Sequence, residues 1–186
     1  MRIVLSILVA LNLVGDLSAA EFAGVQFDDT LRLDDEQSLV LNGVGVRKKY
    51  FVSIYVAALH LTKRSSDAYD VINMQGPKRV TMHILYSEIN QEKFASGWND
   101  GFRENHTENE MQALRSRLDS FNSLFETLHK GDRVILDYLP ELGTRVTIQN
   151  KVKGTIQGED FFQGLLKVWL GDRPVTKSLK NDFLGQ

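Results

Sequence analysis

The sequence contains no cysteine. Disulfides, thiol nucleophiles and thiolate metal sites are therefore excluded, and the folded chain must be held together by packing alone. Prolines are also few: the three that occur are scattered rather than gathered into a linker, and no internal repeat is visible. These absences favour a single domain, predicted over residues 21–186, which is long enough to bury a sizeable core.

A surplus of positive charge is missing as well. The chain has 22 basic and 24 acidic side chains, which give a formal net charge of −2. Nucleic acids and anionic membranes are usually bound through an excess of Lys and Arg, so the composition predicts neither partner.

Signatures of common catalytic sites are also absent. The four histidines are dispersed at spacings that do not pair them as metal ligands, so we expect no metal site. No P-loop or nucleophile elbow occurs, and Gly43-Val44-Gly45 is only a fragment of a glycine-rich loop. We therefore expect no cofactor.

One long hydrophobic run is present, at the N-terminus. Arg2 precedes an apolar stretch from Ile3 to Val14, and small residues follow up to Ala20. This pattern predicts a secretory signal peptide over residues 1–20, cleaved after Ala20, and hence a periplasmic or secreted protein. The run is shorter than the ~20 residues that span a bilayer, so we expect no stable membrane anchor. An uncleaved N-terminal anchor, the alternative, is disfavoured by the small residues.

The rest of the chain alternates between strand-like and helix-like patterns. Val, Ile, Tyr and Phe on both faces of residues 50–61 are typical of a central strand. Asn42-Gly43, inside the preceding strand, indicates either a hairpin turn or a bulge. The four-residue spacing of Phe94, Trp98 and Phe102 predicts an amphipathic helix, and Thr107 with Glu110 predicts a capping box at the next helix.

The predicted elements follow one another in blocks. Strands are expected over residues 27–33, 38–46, 50–61, 79–85, 133–138, 144–149 and 151–156, and helices over 66–73, 89–103, 107–128 and 159–170, with a last short helix capped by Thr176 that buries Leu179 and Phe183. Strands, then helices, then strands, then helices predict an α+β fold, an antiparallel sheet with helices on one face. Such an arrangement commonly leaves a cleft between its layers.

The stretch from Leu41 to Leu61, LNGVGVRKKYFVSIYVAALHL, resembles the signature region of the chalcone isomerase-like family. That family has a glycine-containing segment ending in Gly-Val-Arg, followed by a strand of the form Val-Tyr-x-x-x-Leu-Tyr-Leu; His60 stands here where a Tyr is usual. The segment from Gly158 to Val175 is similar to the exported bacterial branch. The resemblance implies an open-faced β-sandwich, a large antiparallel sheet covered on one face by helices.

The family resemblance also implies a site. The family includes plastid fatty-acid-binding proteins, in which an Arg and a Tyr hold the ligand carboxylate; these match Arg47 and Tyr55 here. It also includes plant chalcone isomerases, in which the same Arg polarises the substrate and a Thr replaces the Tyr. The isomerases add a Tyr and an Asn, seven positions apart on the helix after the strand at 79–85. Residues 89–103 contain no Tyr, and Glu92 lies seven residues before Asn99.

These matches imply a non-catalytic binding protein for fatty acids or similar acidic, largely apolar small molecules. Arg47 and Tyr55 are its expected carboxylate ligands, no residue is expected to be catalytic, and the candidate cavity-lining residues are Phe51, Phe94, Trp98 and Phe102. Two alternatives stay open: a chalcone isomerase-type intramolecular lyase, and a structural or interaction scaffold without a ligand. The oligomeric state is not determined by the sequence.

The residues alone leave the roles of Arg47 and Tyr55 open. Arg47 could be an exposed arginine beside Lys48 and Lys49 on a solvated turn, and Tyr55 a core tyrosine with a bonded hydroxyl. Eight residues apart on a continuous strand, Arg47 and Tyr55 would lie ~26 Å from each other. They can bind one carboxylate only if the chain reverses near residues 48–51, and we expect such a reversal.

Overall fold

The computed structural model of the protein describes residues 19–33 and 37–186. The predicted signal peptide lies, up to residue 18, outside the described residues, so cleavage after Ala20 stays a prediction. Within the described ranges, none of the helices has the length and apolar character needed to cross a bilayer.

The described residues form eleven strands and five helices. The strands are β1 Ala19–Phe22, β2 Val25–Asp28, β3 Thr30–Arg32, β4 Ser38–Lys49, β5 Val52–Leu61, β6 Lys78–Ile84, β7 Glu88–Ile89, β8 Leu128–His129, β9 Arg133–Leu139, β10 Gly143–Ile148 and β11 Lys151–Ile156. The helices are α1 Ala68–Asn73, α2 Gln91–Asn105, α3 Glu108–Ser123, α4 Glu159–Leu170 and α5 Lys177–Phe183.

Seven strands form one antiparallel sheet, in the order β11-β10-β9-β6-β5-β4-β3. The two faces of the sheet can be read from β5, where side chains alternate. Tyr55, Ala57 and Leu59 join a large core to which all five helices contribute, whereas Val56 and Ala58 join a small cluster on the opposite face, together with Phe27 of the β1–β2 hairpin. The predicted α+β fold, with helices on one face of a large antiparallel sheet, is confirmed.

The helices form where the sequence places their caps and apolar stripes. In α2, Phe94, Trp98 and Phe102 are buried along one stripe. The Thr107 hydroxyl accepts from the Glu110 backbone N–H, and the Glu110 carboxylate accepts from the Thr107 N–H at 2.7 Å, which confirms the capping box. The Thr176 hydroxyl accepts from the Leu179 backbone N–H and so caps α5, without a capping box, and Leu179 and Phe183 are buried as expected.

Two predicted elements are wrong in extent, and two short strands were not predicted. The helix predicted over 107–128 ends at Ser123; Phe125 and Leu128 reach the core from a loop and from β8, which helical spacing alone does not distinguish from a longer helix. The strand predicted over 27–33 breaks at Asp29, because β2 and β3 pair in different sheets. The two-residue strands β7 and β8 are too short to give a sequence pattern.

Asn42-Gly43 forms a bulge rather than a hairpin turn. The pairing of β4 with β5 shifts register between Leu41 and Gly43, and both strands continue beyond it. The absence of a side chain at Gly43 is used for packing, because a Cβ there would overlap the backbone carbonyl of Asp182. The bulge and the missing side chain therefore let α5 lie directly against β4.

Candidate functional site

The β4–β5 hairpin brings Arg47 and Tyr55 together. Lys49 pairs with Val52, so the chain reverses through the two residues Tyr50 and Phe51. A register shift beside Arg47 then adds one residue to β5, which places Tyr55 rather than its neighbour directly opposite Arg47. Directly opposed residues share one face of the sheet, and the guanidinium carbon of Arg47 lies 5.6 Å from the centre of the Tyr55 ring. The reversal expected at residues 48–51 is present.

A cavity of about 610 Å³ opens beside this pair. It lies between the β4–β5 hairpin, the segment 86–89, the exposed flank of α2 and the end of α4, and its volume is in the range of small-molecule binding sites. Its walls are largely apolar or aromatic. The side chains that give them this character are Tyr50, Val52, Ile54, Tyr55, Tyr86, Ile89, Phe94, Trp98, Val168, Pro174 and Val175.

The charged residues around the cavity are unevenly paired. Arg47, Lys49 and Lys93 all line it, and none of their side chains makes a hydrogen bond or ion pair with another described residue; Arg47 has only its contact with the Tyr55 ring. Two of the three carboxylates that line the cavity face an arginine, and the third, Glu88, lies beside His129, which forms an ion pair with it only when protonated. Those pairs are Glu88 with His129 at 3.5 Å, Asp100 with Arg103 at 2.8 Å and Glu104 with Arg173 at 2.9 Å. The three unpaired cations outnumber the Glu88 carboxylate, so the unpaired charge at the cavity is positive in balance, which favours an anionic ligand.

Tyr55 is held as a neutral hydrogen-bond donor. Its side chain is only 4% exposed, and its oxygen accepts a 2.8 Å hydrogen bond from the indole N–H of Trp169. Burial raises the pKa of Tyr55, although the nearby charge of Arg47 and the Trp169 hydrogen bond both act to lower it. The phenol is therefore protonated at neutral pH, and no described residue accepts its proton.

The similarity to the family extends far beyond the signature segment 41–61. The sequence model of the chalcone isomerase-like family matches residues 19–185. The chain belongs to this family. Its fold is similar to the crystal structure of a fatty-acid binding protein from Arabidopsis thaliana, with a TM-score of 0.70 and 17% sequence identity over 90% of this chain and 96% of that chain. Among curated proteins, none matches the sequence.

Two of the aromatic residues expected at the cavity of this chalcone isomerase-like protein line it. Phe94 and Trp98 face it from α2, with their rings in edge-to-face contact at 5.8 Å. Trp98 also packs edge-to-face on Trp169 at 5.2 Å, and its buried indole N–H has no hydrogen-bond partner among the described residues. Trp98 of the cavity wall thus contacts Trp169, the residue that donates a hydrogen bond to Tyr55.

Phe51 and Phe102 do not line the cavity, which corrects that expectation. Phe51 occupies the tip of the β4–β5 turn, beyond the end of the paired strands, and is fully exposed. Phe102 is fully buried under α4, where its ring packs on His106 and Phe161. The apolar stripe on α2 is continuous, but only Phe94 and Trp98 in it reach the cavity.

The isomerase positions on α2 lie off the cavity in this chalcone isomerase-like chain. Glu92 is exposed and does not line the cavity, and Asn99 accepts a 2.9 Å hydrogen bond from Asn122 of α3. No tyrosine occupies α2. The site therefore offers a cation and a phenol but lacks the helix-borne hydroxyl that the resemblance to the plant enzymes would require.

Four contributors to the site were not predicted from the sequence. Lys49 and Lys93 looked like solvated lysines, Tyr86 lay in a loop, and Trp169 looked like an ordinary core residue of an apolar helix. Lys49 has one clue in retrospect: it lies two residues after Arg47 on the same strand, so both can face one side. Lys93 and Trp169 are brought to the site by the packing of α2 and α4, and Tyr86 by the loop between β6 and β7.

Proposed function

We propose that this chalcone isomerase-like protein binds a fatty acid or a similar acidic amphiphile in the cavity, without catalysing a reaction, and that Arg47 and Tyr55 hold the carboxylate. One observation carries the proposal: a half-buried guanidinium without a carboxylate partner lies over a phenol whose proton is free, at the wall of a largely apolar cavity.

Desolvation makes an acid the natural ligand for this arrangement. Removing a charged group from water is costly unless an opposite charge or hydrogen-bond acceptors meet it. A carboxylate can accept two parallel hydrogen bonds from Arg47 and a third from the Tyr55 hydroxyl. An alkyl chain in the apolar part of the cavity would add about 0.8 kcal/mol for each buried methylene group. The structural similarity to a plant fatty-acid binding protein supports the same ligand class.

The two alternative functions have less support. An intramolecular lyase needs groups that stabilise a developing enolate more than the ground state, and Glu92 and Asn99 lie away from the cavity. A scaffold without a ligand gives no reason for three unpaired cations around a cavity of this size.

Calorimetric titration with laurate and with dodecanol tests the proposal, because the two ligands share a chain and differ in the headgroup. Arg47→Gln should weaken laurate binding about ten-fold or more, the range of a charge-assisted hydrogen bond, and leave dodecanol nearly unchanged. Tyr55→Phe should weaken laurate binding by a smaller factor.

Arg115→Gln is the matched control, because Arg115 is an exposed arginine of α3 that makes no described ion pair. It should bind laurate as the unchanged protein does. Failure of the unchanged protein to bind any fatty acid from laurate to oleate, or equal losses for Arg47→Gln and Arg115→Gln, would overturn the proposal.

We further propose that the protein acts in the periplasm or outside the cell. The leader-like residues 1–20 and the family resemblance to an exported branch support this location. Expression of the full chain in a bacterium, followed by N-terminal sequencing of the protein in the periplasmic fraction, should give a chain that begins at Glu21. Recovery of the intact chain from the cytoplasm would contradict it.

A further inference from the structure

The tip of the β4–β5 hairpin, residues 48–52, concentrates exposed aromatic and basic side chains. Tyr50 is 88% exposed, Phe51 is fully exposed and Val52 is nearly half exposed. The other large hydrophobic residues that are exposed in the described chain, apart from Tyr86 at the same cavity, lie singly on separate elements. These are Phe22, Tyr69, Leu142 and Val152. Single exposed hydrophobic residues are ordinary, whereas a contiguous group marks an interaction surface.

Folding gives no reason for aromatic residues at this turn. Two-residue hairpin turns favour Gly, Asn or Asp, because at least one residue adopts a positive φ. Tyr50 has φ +55°, a backbone conformation that a bulky side chain adopts at a cost. Neither Tyr50 nor Phe51 recovers that cost by packing against the core, since both side chains are exposed. A contact outside the chain would account for both of them.

The charge of the hairpin tip identifies the chemistry of that contact. The hairpin from residue 38 to residue 61 contains three basic residues, Arg47, Lys48 and Lys49, and no acidic one. Lys48 and Lys49 are exposed, and their side chains pair with no described residue. No anionic membrane partner was expected from the net charge of −2, but that charge is a sum over the whole chain and does not show this local basic cluster. Exposed aromatic rings beside unpaired lysines suit a partner that has a negatively charged surface and an apolar layer beneath it.

We propose that the hairpin tip docks reversibly on the surface of an anionic lipid bilayer. Tyr50 and Phe51 enter the headgroup region, where aromatic rings are favoured, and Lys48 and Lys49 contact anionic headgroups. Tyr50, Val52 and Lys49 also line the cavity, so a docked tip holds the cavity mouth against the bilayer. An acidic amphiphile could then pass between bilayer and cavity without crossing water; this last step rests on the proposed function, whereas docking does not.

Sedimentation with lipid vesicles tests the docking directly. The full chain should bind vesicles of phosphatidylcholine with phosphatidylglycerol, bind weakly to pure phosphatidylcholine, and be released as salt is raised. Phe51→Ser should weaken binding at least about ten-fold, and Lys48→Gln about five-fold, as expected for one ring and one cation at an anionic surface. Tyr69→Ser and Lys63→Gln, which remove an exposed aromatic residue and an exposed lysine elsewhere, are the matched controls and should bind normally.

Ligand binding separates this proposal from the preceding one. Neither Phe51 nor Lys48 lines the cavity, so Phe51→Ser and Lys48→Gln should bind laurate as the unchanged protein does. Vesicle binding that survives Phe51→Ser, or that falls equally with Tyr69→Ser, would overturn docking while leaving the cavity proposal intact. The unchanged protein could also fail to bind vesicles and change its oligomeric state on Phe51→Ser, as measured by analytical ultracentrifugation. That result would overturn docking and show that the hairpin tip contacts another protein chain.

Discussion

The indole N–H of Trp169 donates a 2.8 Å hydrogen bond to the phenol oxygen of Tyr55, deep in the core between α4 and β5. This bond occupies an acceptor site of the phenol and leaves its proton for the cavity. The two residues are 114 positions apart. Trp169 therefore positions the hydroxyl that we propose binds the ligand, although Trp169 does not line the cavity itself.

Replacing Trp169 by Phe should weaken laurate binding roughly two- to ten-fold, the range of one hydrogen bond, because Tyr55 loses the partner that orients it. It should also raise the pKa of Tyr55, since the Trp169 hydrogen bond acts to lower it. Calorimetry and an ultraviolet pH titration measure the two effects. In a Tyr55→Phe background the effect of Trp169→Phe on laurate should vanish; an unchanged effect there would show that Trp169 acts by packing alone.

Filling the cavity from Gly97 should block the ligand without damaging the fold. Gly97 lies inside α2 and lines the cavity, and a Cβ built on it meets no atom within 4 Å. Gly97→Leu should therefore weaken laurate binding several-fold or more, while Gly97→Ala should raise the free energy of unfolding by about 0.5–1 kcal/mol with little effect on binding. Calorimetry and urea unfolding measure both.

Gly101, one turn further along α2, is the control for this experiment. A Cβ there would overlap the Val168 side chain of α4, so Gly101→Ala should lower stability instead of raising it. Equal effects of alanine at Gly97 and Gly101 would contradict the difference in packing around these two positions of α2.

Adding a methyl group at Gly43 should destabilise the protein strongly. The new Cβ would collide with the backbone carbonyl of Asp182, which cannot move aside without shifting α5. We expect Gly43→Ala to lower the free energy of unfolding by about 1–3 kcal/mol or more, measured by urea unfolding. Gly154→Ala on β11 is the comparison: its Cβ meets only the flexible end of Leu124, so its cost should be smaller. A larger loss at Gly154 would contradict this account.

Lys78 should make stability rise with pH above neutrality. Its side chain is 1% exposed, its ammonium has no hydrogen-bond partner among the described residues, and it lies 5.0 Å from the centre of the Tyr138 ring. Burial lowers its pKa from 10.5 to about 8. Above pH 8 the folded chain releases this proton while the unfolded chain keeps it up to about 10.5, so the free energy of unfolding increases through this window.

Lys78→Met should remove that increase. Replacing the buried cation by an apolar side chain of similar length should also raise the free energy of unfolding near pH 7 by about 1–4 kcal/mol. Urea unfolding between pH 7 and 9.5 measures both effects, below the range where tyrosines titrate. Lys63→Met, an exposed substitution, should keep the slope; a slope that persists in Lys78→Met would assign it to another group.

The local sequence pattern was sufficient to predict those features that depend on contacts within one segment. The spacing of Phe94, Trp98 and Phe102 predicted a buried stripe on α2, and Thr107 with Glu110 predicted a cap that is present. It failed where a contact with a distant segment decides the outcome. Phe125 continues the helical spacing but belongs to a loop, and Asn42-Gly43 left a turn and a bulge open until the packing of α5 on β4 decided for the bulge.

The sequence by itself determined the α+β class, the family, and the choice of Arg47 and Tyr55 as the residues to examine, because periodicity, caps and a contiguous motif are properties of neighbouring residues. Only the tertiary structure decided that a bulge sets Tyr55 opposite Arg47, that Trp169 holds the phenol, and that Lys93 joins Lys49 beside the cavity. Those relations join segments far apart in the chain. Their energy comes from packing the helices on the sheet, which no single stretch of sequence encodes.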